Sequence, residues 1–194
     1  MTEPSIVQNP PAPTAQSKYQ VRFDWGRDGA LAVARDADIV VWVDVLAPAQ
    51  GAPGPELSLF PHAAAVLVGG LTTASAVARW ILDEQVRLGR RAMVSIVAAG
   101  AQTESGSTRF AVEDQLGAGA IIDALAALGI DYTSPEAAAA CAAFLGLRGA
   151  VAHLLTASAS GQERVLAGDA PADIAPLGRL DTETTVAVVR SASE

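Results

Sequence analysis

Three non-alternating, largely apolar runs constrain this chain more than any other feature: Asp38-Ile-Val-Val-Trp-Val43, Ala64-Ala-Val-Leu-Val68 and Ala92-Met-Val-Ser-Ile-Val-Ala-Ala99. A strand with one wet face alternates apolar and polar residues, and these runs do not. The first is rich in β-branched residues and reads as a strand covered on both faces in a parallel sheet. Helical stretches lie between them. An alternating strand at Tyr19-Gln-Val-Arg-Phe23 precedes an Ala/Leu-rich helix over residues 26–37. Thr72 or Thr73 can cap a helix carrying Ala76, Val77, Trp80, Ile81 and Val86, which Gly89 closes. Residues 113–128 form a Gly/Ala-rich helix closed by Gly129, and Ser134-Pro135-Glu136 opens another, with proline and an acid suited to its first turn. Residues 153–156 and 184–189 read as the last strand-like stretches. This alternation predicts an α/β fold: three layers, α/β/α, around a parallel-rich mixed sheet.

With 194 residues, 51% of them hydrophobic and 18% charged, the chain can bury one substantial core. Residues 18–194 are therefore expected to form a single domain. Residues 1–17 are rich in Pro, Ser, Thr and Gln without apolar periodicity, so they read as a disordered tail with order beginning near Tyr19. Residues 47–61 carry many Pro and Gly and read as a long loop. A net charge of -8 with singly scattered Arg residues argues against a nucleic-acid surface. No apolar run approaches a membrane span in the sequence pattern, and the N-terminus lacks the basic-then-apolar order of a secretory signal. A soluble, cytoplasmic protein without membrane contact is expected. The single Cys141 excludes an internal disulfide and a Cys-cluster metal site, and its Ala-rich surroundings suit a small core residue.

Chemistry is sought where an open α/β sheet collects ligands, at the carboxyl ends of its strands. Asp44 ends the first buried run, as a functional acid, a turn former or a helix cap. Glu113 and Asp114 are adjacent carboxylates that repel unless a cation or an Arg neutralises them. A hard cation such as Mg²⁺ needs only one or two carboxylates; alternatively both acids serve a helix N-terminus. Gly117-Ala118-Gly119 looks like the start of a dinucleotide fingerprint, but no strand precedes it and no third glycine follows, so close helix packing is the better reading. His62 and His153 lie far apart without a metal-ligand pattern, and His153 reads as a core residue. Ser158, Ser160 and Gly161 could bind an anion through backbone amides or cap a helix.

Taken in order, these segments resemble the 2-phosphosulfolactate phosphatase (ComB-like) family. The resemblance rests on Arg22-Phe-Asp-Trp-Gly26, on Asp38-Ile-Val-Val-Trp-Val-Asp44-Val-Leu46, and on Gly69-Gly-Leu-Thr-Thr73. It continues through Ala98-Ala-Gly100, Arg109-Phe-Ala-Val-Glu113-Asp114-Gln-Leu-Gly117-Ala-Gly-Ala120, Ser134-Pro-Glu-Ala137 and Ser160-Gly161-Gln-Glu163. It implies an α/β/α fold and a Mg²⁺-dependent phosphatase releasing phosphate from a small phosphorylated, sulfonated acid, of the coenzyme M pathway type. Asp44 and Asp114 would be catalytic, and Asp44, Glu113 and Asp114 would surround the metal. Arg109, Gly100, Ser160 and Gly161 would face the substrate, with Arg109 pairing its sulfonate, its carboxylate or Glu113.

The chain also departs from the family. Ala47-Pro48-Ala49-Gln50 stands where an Arg/Ser/Thr-rich phosphate-facing turn is usual, and a middle block between Leu46 and Val66 is missing. Thr73 replaces a common Asn, and Ala101-Gln102 a frequent Glu-Arg. The alternative is thus a degenerate, inactive relative acting as a small-molecule-binding or assembly module. A shortened sheet leaves an edge or apolar face to be covered, so a homo-oligomer is expected.

Overall fold

The computed structural model describes residues 12–47, 54–103 and 105–192. Five strands form the central sheet in the order β1-β4-β2-β3-β7. They are β1 (Val21–Trp25), β2 (Ile39–Val43), β3 (Ala65–Gly69), β4 (Val94–Ala98) and β7 (Ala187–Arg190). The first four run parallel, with Val41 opposite both Leu67 and Ile96, and β7 joins β3 antiparallel at one edge. The expected three-layer α/β/α fold with a parallel-rich mixed sheet is thus the observed one. The buried apolar runs became strands because each has a helix or segment to cover either side.

On one face, Phe23, Ile39, Val41, Leu67 and Ile96 pack with α2 (Ala74–Leu88), α3 (Val112–Ala127) and α4 (Pro135–Leu147). α3 is apolar all round, since it lies inside the fold rather than at its surface. Its Gly117 and Gly119 mark close approaches: a Cβ on Gly117 would stand 2.8 Å from Val45 and 2.9 Å from Val43, and one on Gly119 would meet the Ala140 carbonyl. The Gly-Ala-Gly block is therefore a packing device. On the other face, among the described residues, Val40, Val66 and Val97 pack with α1 (Gly26–Val33), with Ala34, Ala37 and Ala64, and with the segment carrying Leu57, Leu59 and Phe60.

Several expectations are corrected. Residues 1–11 of the expected tail lie outside the described residues, but Pro13–Ala15 form a 3-10 turn and Gln16 is buried. The Gln16 Nε2 donates to the Phe23 carbonyl at 2.8 Å and its Oε1 accepts from the Phe23 amide at 3.0 Å, so order begins before Tyr19. Residues 48–53 of the expected loop lie outside the described residues, and Leu57–Leu59 form a 3-10 turn. The loop after β4 folds as a hairpin of β5 (Ala101–Gln102) and β6 (Thr108–Arg109). Residues 153–156 are helical, within α5 (Val151–Ala157), and His153 is exposed rather than a core residue. A β-branched-poor stretch between α4 and α6 (Ala159–Leu166) keeps its hydrogen bonds local and packs Val151 and Leu155 inward. Val86, expected on the buried face of α2, is 72% exposed. Cys141 is half-buried against the core.

Neither Thr72 nor Thr73 caps α2 through its side chain. That role falls to the C-terminal arm, where the Asp181 carboxylate accepts from the Ser75 amide and hydroxyl, both at 2.6 Å. The Asp181 and Glu183 amides in turn donate to the Leu71 and Thr72 carbonyls. The Ser134 cap of α4 is as expected, its hydroxyl accepting from the Ala137 amide at 3.1 Å. Contrary to the sequence expectation, the helical stretch Pro135–Leu166 is long and apolar enough, by length and composition alone, to cross a membrane. It is not one rod, however, since Ser158 with ψ 162° interrupts it between α5 and α6.

Candidate active site

Between β2 and β3 the chain packs on one face at Leu57, Leu59 and Phe60, and after β4 it packs as α3 on the other. Two adjacent parallel strands whose connections part in opposite directions open a crevice at their carboxyl ends. Asp114, in the first turn of α3, bridges this crevice. Its Oδ1 accepts from the Val45 amide just past β2 at 2.8 Å, and its Oδ2 from the Gly100 amide just past β4 at 2.9 Å. The side chain is 2% exposed. Burial, reinforced by the charges of Asp44 and Glu113, pushes its carboxyl up to about 8 despite the two amides.

Around this point lies a cavity of about 710 Å³, lined among others by Trp42, Asp44, Gly100, Glu113, Asp114 and Ser160. Asp44 is half-buried, and burial first, then the Glu113 charge, raises its carboxyl above the usual range. Glu113 is 2% exposed, and its Oε2 has no hydrogen-bond partner. The three expected acids therefore share one cavity, on elements far apart in sequence. Asp44 also borders a second cavity of about 360 Å³ beneath the C-terminal arm, with Thr73, Glu183 and Thr185.

The remaining predicted residues fare differently. Ser160 is buried and faces the cavity. The Gly161 amide donates to the Ser158 hydroxyl at 3.0 Å, so it caps α6, and Gly161 is not among the residues lining the cavity. Gly100 does line the cavity, but its amide serves Asp114. Arg109, on β6, pairs with Glu163 at 3.2 Å and not with Glu113. Sequence reasoning did not single out Arg27, Glu56, Arg164 or Trp42, all of which border the cavity. Only Trp42 left a signal: it is the one aromatic residue in the β2 run and, two residues before Asp44, shares its side of the strand.

Charge decides what the cavity can accept. Among the described residues its lining carries five carboxyl groups, from Asp44, Glu56, Glu113, Asp114 and Glu163, against the guanidinium groups of Arg27 and Arg164. Both cations are engaged, Arg27 with Glu56 and Arg164 with Asp169. An anion entering here meets net negative charge unless a cation is present or acids are protonated. The orphaned Glu113 Oε2 and the raised Asp44 fit a hard divalent cation, which takes oxygen ligands and keeps several waters. The fit is narrower than the expected three-acid set. Both Asp114 oxygens already hold backbone amides, and no cluster of three or more His, Cys, Asp and Glu side chains arranged for a metal occurs among the described residues.

A comparison with protein families finds that the profile of 2-phosphosulpholactate phosphatase matches residues 56–192, more than two-thirds of the chain. The chain belongs to this family. The 2-phosphosulpholactate phosphatase match takes in Gly100, Arg109, Glu113, Asp114, Ser160 and Gly161, and it begins after Asp44. The placement of Asp44 in the site therefore rests on the cavity it shares with Glu113 and Asp114. No curated protein matches the chain.

Proposed function

We propose that the protein is a divalent-cation-dependent phosphomonoester hydrolase whose substrate is 2-phosphosulfolactate or a close relative, giving sulfolactate and phosphate. The family supports a phosphatase with a small phosphorylated substrate. The observation that carries the fuller reading is the unpartnered Glu113 Oε2 facing a cavity it shares with Asp44. These two carboxylates would hold the cation, and Mg²⁺ is the ion their hard oxygens suit. When bound, such an ion offsets phosphate charge and polarises the ester. Asp114 is a positioning residue, tying the exits of β2 and β4 so that Asp44 and Glu113 meet across the crevice. Ser160 would orient the substrate, with Arg27 and Arg164 on the rim held by Glu56 and Asp169, while the attacking group is water or a nucleophile not identified by position.

Phosphate release from 2-phosphosulfolactate, measured with Mg²⁺ and with a chelator, tests this. Turnover should require Mg²⁺ and fall about a hundredfold or more in Glu113→Gln and Asp44→Asn, the scale of losing a major electrostatic contact to the transition state. Absence of release from any small phosphomonoester would instead favour a binding or assembly module. Self-association belongs to the same reading, since β7 ends the sheet with Val188 40% and Val189 45% exposed. Light scattering at micromolar concentration should report an oligomer, and a monomer would remove it.

A further inference from the structure

Two side-chain polar atoms among the described residues are closed to solvent and lack any hydrogen-bond partner: Trp42 Nε1 and Glu113 Oε2. Both belong to residues that line the 710 Å³ cavity. A buried polar atom left unpaired costs about 1–3 kcal/mol, and native proteins hold few of them. Two such atoms on residues that line one cavity, a donor and an acceptor that do not satisfy each other, point to a ligand that supplies both partners.

The chemistry of each atom says what is missing. An indole N–H only donates, so its partner is an acceptor; a carboxylate oxygen only accepts, so its partner is a cation or a donor. Under the reading above, Glu113 would help hold a cation that offsets the charge of the phosphoryl group. The rest of the substrate is still anionic and needs donors of its own. The two guanidinium groups of the described lining already hold acids, Arg27 paired with Glu56 and Arg164 with Asp169. Among the described residues of the lining, Trp42 carries the donor that is both closed to solvent and unpaired.

We propose that Trp42 is a specificity-determining residue, its indole N–H donating to an oxyanion of the substrate's non-transferred acid group. Trp42 is half-buried and lines the cavity, on the side of the sheet that α1 and the 57–60 segment cover among the described residues. The donor is already dry, so the bond forms without stripping water from it. The inference rests on the phosphatase reading for the identity of the ligand, and on the unpaired N–H for the contact.

The chain has three tryptophans, and their indole N–H resonances in a ¹⁵N-labelled sample provide a readout independent of turnover. With Mg²⁺ present, 3-sulfolactate should move the Trp42 resonance downfield in a saturable way and leave that of Trp80, on α2, in place. Trp25→Phe and Trp80→Phe fix the assignment without touching Trp42. In Trp42→Phe, KM for 2-phosphosulfolactate should rise about tenfold to a hundredfold with kcat nearly unchanged, as for a lost hydrogen bond to a charged group. KM for p-nitrophenyl phosphate should stay at the wild-type value. 2-Phospholactate, lacking the sulfonate, and 2-(phosphooxy)ethanesulfonate, lacking the carboxylate, separate the two acids: the one that Trp42 holds is the one whose removal abolishes the Trp42→Phe effect. A Trp42 resonance unmoved by saturating sulfolactate in an enzyme that turns over would overturn the inference alone. Movement of that resonance without hydrolysis of any ester would overturn the phosphatase reading and leave the contact standing.

Discussion

The face of the sheet under α2 and α3 is closed by close helix-to-strand approaches at glycine, whereas among the described residues the other face is covered by α1 and the 57–60 segment. Gly117 brings α3 to within van der Waals reach of Val43 and Val45, and α4 adds a further layer behind it. On that second face, the thin one among the described residues, Trp42 and Leu59 are only half-buried, and both border the cavity. The difference teaches where precision and access are divided. The thick face supplies a rigid helix whose first turn aims Glu113 and Asp114, and the thin face supplies room for a ligand beside Asp44.

The comparison breaks most readily at Gly117. Gly117→Leu must push α3 off β2, and overpacking of this kind should cost about 3 kcal/mol. The expected fall in Tm is roughly 6–12 °C by calorimetry for a chain of this length. Leu59→Ala, on the thin face, should cost well under half of that, and equal losses at the two sites would mean the faces are not built differently.

A second test concerns the acid that joins the two strand exits. Burial pushes the Asp114 carboxyl up to about 8 in the folded protein, above the ~3.9 of an unfolded chain. The folded state therefore keeps a proton that the unfolded state releases, and this group's contribution to stability falls as pH rises from about 4 to about 8. In the presence of a chelator, Asp114→Asn should lie closer to, or above, the wild-type Tm at pH 8 than at pH 4. A Tm difference flat across that range would show that Asp114 is not held protonated by its surroundings. The smallest effect is expected at the arm over the thick face. Asp181→Ala removes the cap of α2 and should cost about 1 kcal/mol in a urea melt, with amide exchange quickening at Ser75. An unchanged midpoint would mean the arm lies on the helix without supporting it.

Much of this was legible in the sequence because it depends on local pattern. The non-alternating runs at residues 38–43, 64–68 and 92–99 marked β2, β3 and β4, and Ser134-Pro135-Glu136 marked the start of α4. Asp44 was legible as an acid at a strand exit, and Glu113 and Asp114 as an unneutralised pair. The opposite fates of that pair were not legible. Neighbours on one helical turn point in different directions, so Asp114 found two backbone amides while Glu113 kept an unpaired oxygen. Residues 153–156 misled because a four-residue apolar run fits a strand or a buried helical turn equally, and only packing of Val151 and Leu155 into the core chooses. Gly161 and Arg109 misled for a related reason, as a hydroxyl three residues away and an acid fifty-four residues away claimed their donors first.

By itself the sequence determined the layer architecture, because burial on both faces writes itself into every residue of a strand. It also determined which carboxylates stand at strand and helix ends. Only the tertiary structure decided which of those carboxylates meet and which polar atoms go unpaired. Hydrogen-bond partners are assigned across the fold by proximity, and one chain's spacing does not record who arrives first.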